Sequence, residues 1–193
     1  MAKLYFRYSA MNAGKSTALL QVAHNYEEEG KKVKVIKPAI DTKGNDKVVS
    51  RLGISREVDY AVKKDENIKN LDFEDVSCIL VDECQFLTRE QVNQLFEIAV
   101  IWDIPVICYG LRTDFLAKGF EGSTRLLEIA HQLEEMKTIC SGEKGCNKKA
   151  ILNIRYINGK AVFDGEQVVI DDDSKVEYKS VCGSCYIKEK GKI

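Results

Sequence analysis

An α/β architecture, a parallel sheet with helices on both faces followed by a small cysteine-bearing β unit, is what this sequence predicts. Three observations predict it. Strand-like and helix-like segments alternate from residue 3 to about residue 135, as a parallel sheet with crossover helices requires. The strand-like segments include continuous apolar runs, such as Val76 to Val81, the pattern of strands buried on both faces. The character then changes near Cys140, where cysteine pairs stand on either side of a hairpin signal.

The elements follow in order. Residues 3–8 read as a strand. Residues 15–29 read as a helix with Ala18, Leu19, Val22, Ala23 and Tyr26 on one face and Gly30 as its stop. Val33 to Ile36 is a short strand ended by Pro38, and polar residues 40–70 read mostly as loop. After the Val76–Val81 strand, Thr88 and Gln91 form a capping box for a helix bearing Val92, Leu95, Phe96 and Ala99. Pro105 to Tyr109 is another buried strand. A helix from about Ser123 to Glu135 is expected next, with Leu126, Ala130 and Leu133 inward. Asn158-Gly159, between Ile151–Ile157 and Lys160–Phe163, is a strong two-residue hairpin signal. The Lys-rich tail after Ile187 reads as disordered. The division expected is 1–136 for the α/β unit and 137–193 for the appendage.

Composition narrows the function classes. The chain has 193 residues, 45% of them hydrophobic, enough for one core or a core plus an appendage. Its net charge of −1 lacks the basic excess of a duplex binder, so no nucleic-acid partner is expected. No apolar run approaches the roughly 18 residues of a membrane span. The strand-like start, Lys3 to Tyr8, has no signal-peptide layout. Seven cysteines then point to a reducing, cytoplasmic setting, with Cys as core filler or metal ligand.

Ser9-Ala10-Met11-Asn12-Ala13-Gly14-Lys15-Ser16 follows a strand and opens a helix. A phosphate-binding loop must sit there, because backbone N–H groups and the helix N-terminus then point at the phosphates. The fold class is therefore that of P-loop, RecA-like proteins. Lys15 would reach the β- and γ-phosphates and Ser16 would bind magnesium. The strand Val76–Val81 ends in Asp82-Glu83. A carboxylate at such a strand tip holds the magnesium shell of a bound nucleotide. Asp82 suits the metal, directly or through water. Glu83 suits a base that accepts a proton from an attacking hydroxyl, or orients a water. A solvated acidic turn is the bland reading, and the phosphate loop weighs against it.

Cys182-Gly183-Ser184-Cys185 has the spacing of a zinc knuckle. Cys140 and Cys146 enclose five residues, a wider pair in which Gly142 and Gly145 would supply turns. The two pairs make a Cys₄ set of zinc-ribbon type with the hairpin between them, and four thiolates leave no open position for catalysis. A redox role is disfavoured on the reading that the Cys-x-x-Cys does not stand at a strand-to-helix step. Cys78, Cys84 and Cys108 read as core. Arg51, in Ser50-Arg51-Leu52-Gly53, is either a bidentate phosphate contact or a surface Arg. Phe86, Phe115 and Phe120 stand near strand ends, where aromatics wall planar ligands, although an isolated Phe is by default core. His24 and His131 carry no functional signal.

Together these residues resemble the thymidine kinase family of the cellular, type II kind, over nearly the whole chain. The resemblance rests on the phosphate loop with Met11, Ser50-Arg51-Leu52-Gly53, Asp82-Glu83-Cys84-Gln85-Phe86, Gly110-Leu111-Arg112-Thr113-Asp114-Phe115, the Phe120 segment to Leu127, Tyr178 and the last Cys pair. It implies ATP-dependent phosphorylation of thymidine or deoxyuridine at the 5′-hydroxyl, with Mg²⁺ and a structural Zn²⁺. Glu83 would be the general base. ATP contacts would come from Ser9 through Lys15, Ser16 and Thr17, with Arg51, Asp82 and Gln85. Met11, Phe86, Phe115 and Phe120 would line the thymine site, and Val169, Ile170 and Tyr178 would close over the base. A homotetramer inhibited by thymidine triphosphate is also implied. The sequence departs from the family at Ser9 (usually Gly), Asn12 (often aromatic), Lys43-Gly44 (usually Arg-Tyr), the longer first Cys pair, and Asp171-Asp172-Asp173 in place of glycines. Two other classes stay open on the motifs alone. One is a P-loop ATPase or switch whose zinc ribbon binds a macromolecule; the other is a kinase-derived binding protein without activity.

Overall fold

The computed structural model describes residues 1–39, 47–167 and 175–192. Six strands form the main sheet: β1 (Leu4–Ser9), β2 (Lys32–Pro38), β5 (Tyr60–Val62), β6 (Val76–Val81), β7 (Val106–Leu111) and β8 (Gln132–Glu135). Between β2 and β5 lie β3 (Lys47–Val49) and β4 (Ser55–Glu57), an antiparallel pair of their own. The sheet order is β5-β2-β6-β7-β1-β8, and the neighbours pair in parallel. All six strands therefore end on one edge, where ligands of open parallel sheets bind.

Alternation within the strands explains the layers. Phe6, Ile79, Val81, Val106 and Cys108 face a core shared with Val92, Leu95 and Ile98 of helix α2 (Arg89–Ile101) and Leu126 of α3 (Glu121–Ile129). Val33, Val35, Cys78, Leu80 and Tyr109 face the other side, against Leu19, Leu20 and Ala23 of α1 (Lys15–Glu28) and Val48 of the β3–β4 pair. Both faces are covered, as continuous apolar strands require. Cys78, Cys84 and Cys108 are buried core residues, as expected. The α2 capping box is present, with Thr88 Oγ1 accepting from the Gln91 N–H and Gln91 Oε1 accepting from the Thr88 N–H.

Several expectations are corrected. The helix expected to reach Glu135 stops at Ile129, because Ala130 turns extended. Residues 132–135 instead form β8 beside β1, and Leu133 is half exposed. His131 sets that junction: its backbone N–H donates to Leu4 O, its Nδ1 accepts from the Leu4 N–H at 3.0 Å, and its ring stacks on Phe96. The polar stretch 40–70 contains β3, β4, β5 and a single 3₁₀ turn at Ile68–Asn70 among its described residues. The tail after Ile187 is helical to Lys190.

The C-terminal part is a three-stranded antiparallel sheet, β10-β9-β11, of β9 (Leu152–Ile157), β10 (Lys160–Val162) and β11 (Val176–Val181), followed by α4 (Gly183–Lys190). The Asn158-Gly159 turn joins β9 and β10 with both residues at positive φ, as a two-residue hairpin demands. Ile154, Val181 and Tyr186 form its small core with the cysteines. Cys182 caps α4 directly after β11, so the Cys-x-x-Cys does stand at a strand-to-helix step. Its position cannot argue against redox chemistry; the convergence of four sulfurs described below is what argues for metal.

Candidate active site

The loop between β1 and α1 wraps the helix N-terminus. Gly14 occupies the N-cap at φ 76, and no side chain caps the helix, which leaves its first N–H groups free to meet an anion. Asn12 takes φ 62, a conformation Asn tolerates better than most residues. Ser9 needs no positive φ, so its replacement of glycine leaves the turn intact. Its hydroxyl donates to Ala10 O and accepts from Lys15 Nζ at 3.0 Å, and Lys15 Nζ also reaches Ala10 O at 3.3 Å. Burial pulls the Lys15 ammonium below its ordinary range, against the opposing pull of Glu83 and Asp82.

Beside it, the end of β6 presents two carboxylates in different settings. Asp82 is buried; burial and the neighbouring Glu83 push its carboxyl up to about 6. Glu83 sits at φ 51 and ψ 34, a left-handed conformation that costs a non-glycine residue about 1–2 kcal/mol. The turn it opens, Cys84–Phe86, packs directly against Gly110 of β7. A Cβ at Gly110 would come within 2.6 Å of Cys84 Sγ and 2.8 Å of Gln85 Oε1, so only glycine fits there. Gln85 Oε1 accepts from the Leu111 N–H at 3.1 Å while its amide nitrogen donates to the Glu83 carboxylate. The carboxylate is thereby aimed from β7.

Two cavities meet at this point. The first, about 700 Å³, is lined by Met11 to Ala18, with Ser50, Arg51, Leu52 and Glu83. The second, about 160 Å³, is lined by Phe86, Phe115, Phe120 and Tyr178 among others, with Phe86 and Phe120 edge-to-face at 5.5 Å. Met11, Glu83 and Leu111 line both. Of the residues expected at the nucleotide, Met11, Asn12, Ala13, Gly14, Lys15, Ser16, Thr17 and Arg51 line the first cavity. Ser9, Ala10 and Asp82 are buried and line neither cavity, and Gln85 lines the second. Val169 and Ile170, like Lys43-Gly44 and Asp171 to Asp173, lie outside the described residues.

Sequence reasoning gave no role to Asn153, Asp114, Arg155 or Gln167: Asn153, Asp114 and Gln167 line the second cavity, and Arg155 is buried behind its wall. Asn153 Oδ1 accepts from the Met11 N–H at 2.8 Å, and the Ser180 hydroxyl donates to Met11 O, so β9 and β11 grip the phosphate loop from both sides of one residue. Asn153 and Arg155 alternate with apolar neighbours on a hairpin strand, a pattern that reads as a solvated face. Both are in fact buried.

The four cysteine sulfurs of Cys140, Cys146, Cys182 and Cys185 lie within 4.8 Å of one another. Cys146 and Cys182 are 3.8 Å apart, the edge of a tetrahedron with metal–sulfur bonds of about 2.3 Å. The wide first pair therefore closes on the second. Cys140 Sγ accepts N–H bonds from Cys182 at 3.1 Å and Gly142 at 3.4 Å, and the Cys185 amide pulls the Cys182 thiol down to about 7. Gly142 is required, since its Cβ would meet Cys185 Cβ at 2.8 Å. The donor set fits zinc, and its four thiolates leave a purely structural role.

A phosphate loop at a helix N-terminus, a paired carboxylate tip and a second cavity for an acceptor define a P-loop phosphotransferase. The family model described as thymidine kinase matches residues 2–186. The chain is 49% identical to a thymidine kinase of Francisella tularensis subsp. tularensis, over 94% of this chain and 95% of that protein. It is 48% identical to one of Mannheimia succiniciproducens, over 100% and 99%, and 47% identical to one of Chromobacterium violaceum, over 96% and 98%. The chain belongs to the thymidine kinase family, is a kinase, and as such uses ATP; the ATPase or switch alternative is not favoured. Among the described residues no helix is long and apolar enough to cross a membrane.

Proposed function

We propose that this protein transfers the γ-phosphoryl group of ATP to the 5′-hydroxyl of thymidine, and also of deoxyuridine. The observation that carries the reading is Glu83, which lines both cavities and so stands between donor and acceptor. A base must be within reach of the hydroxyl it deprotonates. In this reading the first cavity takes ATP along residues 9–17. Lys15 neutralises charge on the β- and γ-phosphates, and Arg51 meets phosphate oxygens from the facing loop. Magnesium, held by Ser16 and Asp82, would supply further charge neutralisation at the phosphates. Glu83 aligns and deprotonates the hydroxyl, aimed by Gln85. Catalysis is then mostly positioning and electrostatics. Met11, Phe86, Phe115 and Phe120 enclose the base, and Tyr178, Val169 and Ile170 close over it. We read residues 1–136 as the phosphate-binding unit and 137–193 as the zinc unit that closes over the nucleoside. We extend the reading to a cytoplasmic homotetramer restrained by thymidine triphosphate.

The test is phosphate transfer from labelled ATP with magnesium, with thymidine, deoxyuridine, cytidine or adenosine as acceptor. Thymidine-dependent monophosphate with little background hydrolysis is expected. ATP hydrolysis indifferent to every nucleoside would overturn the reading.

A further inference from the structure

Among the described residues, Arg155 is the largest side chain that folding buries completely, at 1% exposure. A guanidinium is always charged, and burying one is unfavourable unless its surroundings supply charge or hydrogen bonds. Among the described residues no carboxylate pairs with it. Its partners are neutral. Nε donates to the Tyr178 hydroxyl at 2.9 Å, one terminal nitrogen to Glu166 O at 2.8 Å, and the other to Gln167 O at 2.9 Å. The cation lies 3.7 Å from the centroid of the Phe115 ring, in position for a cation–π interaction. Stability alone gives no account of this arrangement, since an apolar side chain of similar volume would fill the space without the desolvation penalty.

Three of the four partner residues share one property. Phe115, Gln167 and Tyr178 all line the second cavity and come from three separate segments. The planar fork of one arginine joins them: the ring from the loop after β7, the hydroxyl from β11, and the backbone from the segment after β10. Gln167 carries the connection further, since its amide donates to Asp114 Oδ2 at 3.0 Å and Asp114 accepts in turn from the N–H groups of Leu116 and Lys118. Arg155 itself does not line the cavity.

We propose that Arg155 is a positioning residue for the acceptor, fixing the wall formed by Phe115, Gln167 and Tyr178 and thereby setting acceptor affinity without touching the acceptor. The proposal rests on the reading of the second cavity as the nucleoside site. A wall held to within a fraction of an ångström matters because small misplacements of a bound reactant weaken productive binding severely. Lysine cannot replace the residue, having one point charge where a planar fork donates to three oxygens and lies over a ring.

The test uses Arg155→Lys and Arg155→Met in the full zinc-loaded chain, with thymidine and ATP as substrates. The acceptor KM is expected to rise at least about tenfold in both, with kcat within about threefold and affinity for an ATP analogue within about twofold. Hydrogen exchange is expected to rise at residues 163–167 and 175–178 and to stay unchanged in α1. An unchanged acceptor KM in a folded variant would overturn the proposal, as would a parallel loss of nucleotide affinity. Should Arg155→Met fail to fold, Arg155→Lys decides, because it keeps the buried charge. Should the wild-type protein not phosphorylate thymidine, the functional reading fails by itself. Hydrogen exchange then decides this proposal, and wild-type protection at 163–167 in Arg155→Lys would overturn it.

Discussion

The two cavities are built in opposite ways. The first rests mainly on one continuous stretch, residues 11–18, whose loop and helix start create an anion site from backbone geometry. The second is assembled from side chains of the phosphate loop, the turn after β6, strands β7, β9 and β11, and the segments after β7 and β10, and no two adjacent elements suffice to form it. A backbone site tolerates side-chain variation, as Ser9 and Asn12 illustrate. A side-chain site depends on long-range supports, of which the Arg155 fork and the Asn153 and Ser180 bonds to Met11 are the described examples. The donor cavity should therefore survive damage to the C-terminal unit better than the acceptor cavity does.

The largest effect tests the seam between them. Glu83→Gln is expected to lower kcat by about 10²–10⁴-fold, while affinity for an ATP analogue and for thymidine stays within about threefold. Single-turnover assays and calorimetric titration check this. Turnover near wild type would remove Glu83 from the chemistry and detach the seam from function.

Damage to the zinc unit sharpens the contrast itself. Cys185→Ala leaves three sulfurs and is expected to lower Tm by roughly 10 °C, since a structural metal site contributes folding free energy. At a temperature where the variant remains folded, the acceptor KM should rise well before nucleotide affinity falls, because Tyr178, which lines only the acceptor cavity, lies on the strand that ends just before Cys182. Equal losses at both ligands would break the comparison. Zinc content measured in parallel identifies the species assayed.

Legibility follows the same division. The phosphate loop, the Asp82-Glu83 tip and the capping box at Thr88 were readable because each is local: a few adjacent residues dictate their own backbone. The cysteine pairs were readable because thiol spacing is chemically distinctive, even where the first pair is wide. Strand β8 was hidden because Leu126, Ala130 and Leu133 keep a helical period past the true helix end. Long-range pairing with β1, which begins with the bonds between His131 and Leu4, converts that segment to a sheet edge. Asn153 and Arg155 are hidden for a related reason, since polar alternation on a hairpin signals solvent until the phosphate loop, Phe115 and the segment after β10 are laid over it. The aromatic lining was legible as types of residue, while the arginine that holds part of it was not.

Asn153 is where the two cavities cease to be independent. Its Oδ1 holds the Met11 N–H, and Met11 lines both sites. Asn153→Ala leaves that part-buried donor without its partner, at a cost of about 1 kcal/mol. Roughly tenfold weaker binding of both ATP and thymidine is expected, in contrast to the acceptor-selective loss at Arg155. A change confined to one ligand would show that Met11 does not transmit between the cavities.

The smallest effect concerns stability. Without magnesium, the folded protein holds Asp82 at a pKa of about 6, raised from 3.8 by burial and by Glu83. The folded state thus binds more protons than the unfolded state between about pH 4 and pH 6. Stability falls as pH rises through that window, and the full penalty persists above it. Asp82→Asn removes the charge while keeping the shape. In magnesium-free buffer it is expected to gain of order 1 kcal/mol at pH 7.5, no more than a few degrees in Tm, and to gain little at pH 4. The same variant should be nearly inactive with ATP and magnesium. A Tm difference that does not depend on pH would mean that Asp82 is not strained by its charge, and that the cluster of Lys15, Asp82 and Glu83 is balanced before any nucleotide arrives. A difference that grows with pH would mean that the donor site, although built mostly from backbone, carries one side chain held against its own stability until a cation meets it.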